Sequence, residues 1–164
     1  MDKQEILKEI HKTKEHLASM EKMLKGCEYE RWKPEEDEMY YFVMSTGKVK
    51  HAYWNVYATI DKERYNYHNC FRTKEQAKAE AEKILITCQL ETIARRLNAG
   101  RKIDWANTTQ RKYLIYFNHH CDRIDLDNFK IHQVQGVIYC LDKNFLDEAI
   151  KEIGEERLKA YLKG

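Results

Sequence analysis

The chemically richest stretch of the chain is His119-His120-Cys121-Asp122, four adjacent side chains that can each bind a metal ion. Consecutive side chains on an extended segment point to opposite faces, and no second pair of ligands lies at the spacing of a zinc site. His68 and Cys70 resemble a general base and a nucleophile in composition, and two residues apart on a strand they would share a face. Nothing in the sequence marks the oxyanion hole or the third partner of such a site. We therefore expect no catalytic and no metal-binding residues.

Phosphate and cation sites are also not indicated. The six glycines are isolated turn or cap residues, which excludes a P-loop. Acidic residues occur at 35–38 and at Asp122, Asp125 and Asp127, but the glycine and the terminal Glu of a calcium loop are missing. Solvated charge is the default interpretation of these carboxylates. The sequence thus predicts a protein that is not an enzyme and needs no cofactor.

Two groups of side chains predict binding surfaces instead. The first surrounds the end of the long helix described below and combines cations with a tryptophan, as surfaces that contact phosphates and stack on bases do. Its members are Arg95, Arg96, Arg101, Lys102, Trp105 and Arg111. The second group mixes aromatic and cationic residues of the kind that protein-binding hot spots favour. The alternative interpretation is that these side chains cover the open face of the predicted sheet. Its members are Lys48, Lys50, Tyr53, Trp54, Tyr65 and Tyr67.

The elements that must position these groups are organised around one long helix predicted at 73–100. Thr73 is a suitable N-cap, and Asn98 and Gly100 tolerate the left-handed stop. Apolar residues follow helical spacing and widen into a broad stripe from Ile84 onward. A helix that is apolar on so many sides must be covered on more than one side, so we expect it to lie centrally between two layers.

The N-terminal residues 1–27 read as a heptad helix with a narrow apolar seam. Such a helix is not stable alone, and it packs either on the domain or on its own copy. The second arrangement would make the protein a homodimer. The dimerisation residues would then be Ile6, Ile10, Leu17, Met20 and Leu24.

Residues 30–164 are expected to form one α+β domain. Strands are predicted at 39–45, 48–54 and 65–71, and again at 112–118, 128–135 and 137–140, with helices after Asp142 and over 155–163. Placing Thr73 over Asp142 aligns inward-facing positions, which indicates a weak internal repeat of 39–100 in 112–154. The predicted fold is thus α+β, with two weakly repeated three-stranded antiparallel sheet plus helix units around a long central helix. An N-terminal coiled-coil-like helix precedes them.

Composition bounds the class of protein. The chain has 164 residues and a formal net charge of +2, so no overall polyanion-binding signature exists and local charge must carry any such argument. No apolar run approaches the length of a membrane span, and the N-terminus lacks an apolar signal core. We expect a cytoplasmic protein that does not contact a membrane, and five reduced, mostly structural cysteines.

Four stretches of the sequence carry a resemblance to known proteins: Trp32-Lys33-Pro34 with Tyr40-Tyr41-Phe42, the run Asn69 to Ala77, Asp104-Trp105 with Gln110-Arg111-Lys112-Tyr113, and the run Ala149 to Leu158. They resemble a loose group of small proteins encoded by phages and prophages of Firmicutes and gut bacteria. The resemblance covers residues 30–163. Members of this group include inhibitors of bacterial defence such as anti-CRISPR proteins. The resemblance implies no catalytic residues for this chain.

The leading interpretation is a non-enzymatic phage accessory protein that binds and inhibits a bacterial defence macromolecule. An anti-CRISPR protein acting on a CRISPR effector nuclease is the specific form of that interpretation. One alternative is a nucleic-acid-binding protein that uses the patch from Arg95 to Lys112. Another is a sponge that binds a small signalling nucleotide at a dimer seam.

Overall fold

The structure, a computed structural model, describes residues 10–17, 19–20 and 31–163. The chain falls into two units, residues 1–35 and residues 36–164, and each is described by itself. In the first unit, residues 10–17 and 19–20 are helical, inside the predicted heptad helix. Ile6 and Leu24 of the predicted seam lie outside the described residues.

The second unit is an α+β arrangement of two hairpins and four helices within its described residues. In chain order it consists of β1 (Met39–Val43), β2 (Val49–Tyr53), α1 (Thr59–Asn66), α2 (Lys74–Asn98), β3 (Lys112–Asn118), β4 (Arg123–Phe129), α3 (Phe145–Ile153) and α4 (Glu155–Lys163). Among the helices of the described residues, none has the length and apolar character needed to span a bilayer.

Each hairpin is a separate antiparallel sheet of two strands. Tyr40 lies opposite Ala52 in the first hairpin, and Ile115 lies opposite Leu126 in the second. The prediction of three-stranded sheets is therefore wrong. Where a third strand was expected, a single bridge is found, from Phe71 to Tyr41 in the first hairpin and from Cys140 to Tyr113 in the second.

Two of the predicted strands are not found where they were expected. The segment 65–71 was expected to be a strand, but the chain forms α1 up to Asn66, which packs on the face of β1 that carries Tyr40. The strand expected at 128–135 lies earlier, as β4, because Ile124 and Leu126 supply the alternating apolar positions that pair with β3. The predicted internal repeat of these units stays a prediction.

The long helix α2 begins and ends close to the predicted residues. The Thr73 hydroxyl accepts a hydrogen bond from Gln76 N, and the Gln76 side chain accepts one from Thr73 N, which completes a capping box. The helix ends where Ala99 and Gly100 take left-handed backbone angles (φ 47° and 79°). Asn98 is still helical, and its Oδ1 accepts from Leu141 N at 2.7 Å, so this side chain fixes the end of α2 to the segment before α3.

The main core of the second unit packs on the second half of α2, from Ile86 onward. The helix packs against β1 and β2 and also against α3 and α4. The larger buried cluster includes Ile86 and Ile93 of α2 with Phe145 and Leu158 of the last two helices. Coverage is incomplete, since Leu85 is 47% exposed and Cys88 is exposed. The outer side of α2 therefore carries an apolar surface that the described residues do not cover.

Candidate binding surfaces

His68 and Cys70 do not form a nucleophile and base pair. His68 is exposed and has a left-handed backbone angle (φ 59°), whereas Cys70 is buried. The two residues lie in the irregular segment between α1 and α2, where the spacing of a strand does not apply. The shared-face arrangement expected of a strand is therefore wrong.

Residues 119–122 form a turn between β3 and β4, not an extended segment. The Asp122 carboxylate accepts hydrogen bonds from the ammonium groups of Lys159 at 2.7 Å and Lys163 at 2.8 Å, which fixes this turn to α4. The two ammonium groups, Lys159 first, lower the pKa of Asp122 to about 2. The His119 ring lies edge-on to Phe117, with 4.9 Å between the ring centres. Across the described residues, no group of three His, Cys, Asp or Glu side chains is placed to hold a metal ion.

The predicted basic patch is divided by contacts inside the protein. Arg96 Nη2 donates to Glu148 at 3.0 Å and also to Glu152, so its charge is balanced by α3. The Arg101 guanidinium donates to the Leu97 and Asn98 carbonyls at the end of α2. The remaining members of the patch, Arg95, Lys102 and Arg111, have exposed side chains. The structure thus leaves fewer cations available to a polyanion than the sequence indicated.

The aromatic member of that patch has an internal role. Trp105 is half-buried, and its ring lies edge-on to Tyr139 with 4.9 Å between ring centres. The Trp105 ring also contacts Lys112, whose Nζ lies 5.2 Å from the ring centre. Lys112 itself is fully buried, and its ammonium donates to the carbonyls of Asn107 at 3.0 Å and Lys130 at 2.6 Å. The lysine and tryptophan therefore stabilise the loop before β3 and are not exposed for stacking on bases.

The second predicted group also separates into buried and exposed members. Trp54 is 2% exposed and packs edge-on against Tyr40 and Tyr65, with ring centres about 6 Å apart. Its assignment to an exposed surface is wrong, because the even-numbered side chains at this end of the first hairpin face α1. Tyr65 is half-buried in the same cluster. Lys48, Lys50, Tyr53 and Tyr67 are exposed, with Tyr67 beyond the end of α1.

A buried polar network that the sequence did not indicate joins α1 to β1. The Tyr40 hydroxyl donates to Asp61 Oδ1 at 2.6 Å, and Arg64 Nη1 donates to the Tyr40 hydroxyl at 2.8 Å. Asp61 Oδ2 also accepts from Asn55 N, and the Arg64 guanidinium lies 3.7 Å from the centre of the Phe42 ring. Burial, with the hydrogen bond to Asp61, raises the pKa of Tyr40 to about 12. The i, i+3 spacing of Asp61 and Arg64 was the available signal.

Exposed apolar side chains gather where the strands of the first hairpin open. Met39 lies opposite Tyr53 in the ladder, and the following turn and the first residues of α1 add three more. We call this group the open-end patch; it consists of Met39, Tyr53, Val56, Tyr57 and Ile60. The backbone beneath it is fixed, since Trp54 N donates to Glu38 O and Val56 N to a Glu36 carboxylate oxygen. These five exposed side chains thus give the open end of the first hairpin an apolar, tyrosine-rich surface with acidic neighbours.

The helical residues of the first unit also expose apolar side chains. Ile10, Leu17 and Met20 are each 42–53% exposed. Leu17 follows Ile10 by seven residues and Met20 follows Leu17 by three, which is the spacing of a coiled-coil seam. The predicted seam is therefore uncovered over its described part.

Comparison of the chain with protein-family models, with curated proteins and with solved structures finds no match in any of the three.

Proposed function

We propose that the protein is a non-enzymatic phage accessory protein that binds and inhibits a larger bacterial protein, with a CRISPR effector nuclease as the first target to test. The open-end patch is the single observation that carries the binding role. The resemblance of the sequence to small phage and prophage proteins supplies the biological setting and the first target.

Tyrosine is the residue that gives the open-end patch its binding character. Tyr57 is 87% exposed and Tyr53 is 62% exposed, and both belong to one group of exposed apolar side chains, as binding surfaces do. Tyrosine loses little conformational freedom on binding and contributes both apolar area and a hydroxyl group. Burying two such rings in a partner supplies the anchors that protein interfaces depend on.

The non-enzymatic part of the proposal is supported by where the reactive side chains lie. Cys70 is buried away from solvent, Asp122 is held by two lysines, and the Tyr40 network is enclosed between α1 and β1. The polar atoms of Asp122 and of the Tyr40 network are occupied by contacts that stabilise the fold. A structural role for these groups therefore fits their positions better than a catalytic role.

We further propose that the protein acts as a homodimer through the heptad helix. An exposed seam of Ile10, Leu17 and Met20 on one narrow face is stabilised when a second helix covers it. Dimerisation would present two copies of the open-end patch to one target and raise the affinity by avidity.

Direct binding of nucleic acid through Arg95, Lys102 and Arg111 is the weaker alternative. Arg96 and Arg101 are committed to Glu148, Glu152 and the end of α2, so the number of phosphate contacts is reduced. Affinity for nucleic acid and its salt dependence both scale with that number. Among the contacts of the described residues, none favours the small-nucleotide sponge.

The test mixes the purified protein with CRISPR effector complexes and measures complex formation by gel filtration and target cleavage at saturating protein. We expect a stable complex and reduced cleavage. The double substitution Tyr53→Ala, Tyr57→Ala should weaken binding by about tenfold or more, as loss of interface anchors does. Tyr67→Ala is the matched control, because it removes another exposed tyrosine, 82% exposed, beyond the other end of α1. Undiminished cleavage with no complex would reject this target.

A further inference from the structure

Among residues 36–163, no strand pairs with the outer edge of β2. In this part of the chain β2 pairs with β1, and the flanking ladder bonds, Met44 N to Lys48 O and Trp54 N to Glu38 O, show which backbone groups face inward. Because backbone groups alternate between the two edges of a strand, those of Val49, His51 and Tyr53 point outward. Within residues 36–163, no hydrogen bond to these outward N–H and C=O groups is found.

The corresponding edge of β1 is closed by the chain itself. Tyr41 exchanges two backbone hydrogen bonds with Phe71, each 2.9 Å long. Val43 exchanges two with the side-chain amide of Asn69, at 2.7 and 2.8 Å. The first hairpin therefore has one protected edge and one open edge, and an open edge is a template for an added strand.

A groove lies beside the open edge. It has a volume of about 670 Å³ and runs between the turn end of β2 and the first turns of α2. Val49, Ala81 and Leu85 line it with apolar surface. On the same side of the ladder Val49 lies opposite Val43, so side chains of an added strand that point this way would meet apolar neighbours.

The charges around this edge are positive. Lys48, Lys74 and Lys78 line the groove, and the exposed Lys50 points to the other face of β2, opposite Phe42. Glu82, the acidic side chain of the groove, is bound by Arg157 at 2.8 Å from Nε. An acidic occupant would meet lysines on both faces of the edge, and its apolar side chains would meet Val49, Ala81 and Leu85 on the groove face.

We propose that the outer edge of β2 captures an acidic, extended segment of a partner protein as an added antiparallel or parallel strand. This inference rests on the proposed binding function and deepens it by naming the chemistry of the segment. The segment alternates Asp or Glu with Val, Ile or Leu over about five residues, the length of β2. Backbone hydrogen bonds to Val49, His51 and Tyr53 supply the pairing, and the lysines select acidic sequences.

The first test uses a fluorescein-labelled eight-residue peptide in which Asp alternates with Val, measured by fluorescence anisotropy and by NMR. We expect saturable binding, with shifts of the backbone amides of Val49, His51 and Tyr53. Methylating alternate backbone nitrogens of the peptide should weaken binding by about tenfold or more, because it removes strand donors and keeps the charge. Equal affinity of the methylated peptide, or no shift of these three amides at saturating peptide, would overturn the inference.

Protein variants test the charges and the apolar lining of the edge separately. Lys48→Glu with Lys50→Glu, which reverses charge, and Leu85→Gln, which removes apolar surface without adding charge, should each weaken peptide binding by about tenfold. Lys130→Glu with Lys143→Glu is the charge-matched control and should leave the affinity within about threefold, since these exposed lysines lie outside the groove. Equal competition by a single-stranded DNA of the same charge would mean a polyanion surface and would also overturn the inference.

His51→Pro gives a test of the backbone itself. Proline removes the outward N–H and is tolerated on an edge strand, so the melting temperature should stay close to that of the unsubstituted protein while peptide binding is lost. If His51→Pro still binds and inhibits the effector fully, strand addition fails and the proposed function stands. If the protein does not bind the effector at all, the effector is rejected as the target. The peptide experiments then still test strand addition at the outer edge of β2. Concentration-dependent pairing of two β2 edges, abolished by His51→Pro, would identify a second copy as the occupant and overturn the inference.

Discussion

The side-chain amide of Asn69 forms two hydrogen bonds with the backbone of Val43, donating to its carbonyl at 2.8 Å and accepting from its N–H at 2.7 Å. This pair of bonds is what a neighbouring strand would provide. Asn69 thus closes the edge of β1 beyond the bridge at Phe71, and it explains why the segment before α2 protects the hairpin without being a strand.

Replacing Asn69 by Ala should destabilise the protein by about 1–3 kcal/mol, because both backbone groups of Val43 lose a partly buried partner. Urea unfolding followed by circular dichroism measures the change. Asn128→Ala is the control: its side chain is exposed in β4, and the expected effect is below about 0.5 kcal/mol. Equal effects of the two substitutions would contradict the role given to Asn69.

Replacing Tyr40 by Phe should cost about 1–3 kcal/mol at pH 7, since it leaves the buried Asp61 carboxylate without its shortest hydrogen bond. The pKa of Tyr40 is raised in the folded state to about 12, so the unfolded chain ionises first. The stability linked to this group is full below pH 10 and is lost as the pH rises from 10 to 12. The variant should therefore show a shallower loss of stability over that window.

Urea unfolding at a series of pH values from 9 to 12 tests this expectation. Tyr57→Phe is the control, because that hydroxyl lies on an exposed side chain and the substitution should change neither the stability nor its pH dependence. A Tyr40→Phe variant with the slope of the unsubstituted protein would contradict the assigned network.

The Asp122 turn should respond to acid. The pKa of Asp122 is held at about 2 by Lys159 and Lys163, below its unfolded value, so its contribution is present above about pH 4 and is lost as the pH falls through 2. Asp122→Asn should flatten the acid unfolding curve in this window. An NMR titration of the carboxyl carbon gives the pKa directly, and Lys159→Met with Lys163→Met should raise it. Glu91→Gln, which removes an exposed carboxylate from α2, is the control for the unfolding curve.

The heptad seam predicts a dimer that a single charge will weaken. Leu17→Glu places a carboxylate in the seam and should raise the dimer dissociation constant more than about tenfold. Lys12→Glu introduces the same side chain at an exposed position away from the seam and should leave the constant nearly unchanged. Sedimentation equilibrium measures both. A monomeric unsubstituted protein at high concentration would refute the dimer.

Periodicity was sufficient for the regular elements of the fold. The strands near 39–45, 48–54 and 112–118, the helix after Thr73 and the helix over 155–163 are confirmed as β1, β2, β3, α2 and α4 to within a few residues. Each has either a strong apolar alternation or a recognisable cap, and both signals are local.

The misplaced elements depend on contacts that are distant in sequence. α1 has a weakly patterned sequence and is stabilised by Asp61 and Arg64 meeting Tyr40 across more than 20 residues. Trp54 and Lys112 were assigned to the surface because their types favour it, whereas the first is enclosed by tyrosines and the second by carbonyl oxygens. Residue type alone does not reveal which aromatic or cationic side chains the protein uses internally.

The enclosed ammonium of Lys112 has a consequence for chemical and genetic probing. An acylating reagent or a cellular acetyltransferase can reach this amine only in molecules whose loop has come away from the β3–β4 hairpin, so the rate of its modification reports how often that happens. For the same reason, a loss of activity after replacing Lys112 in a lysine scan would report damage to the loop, and it should not be scored as a lost contact with a target.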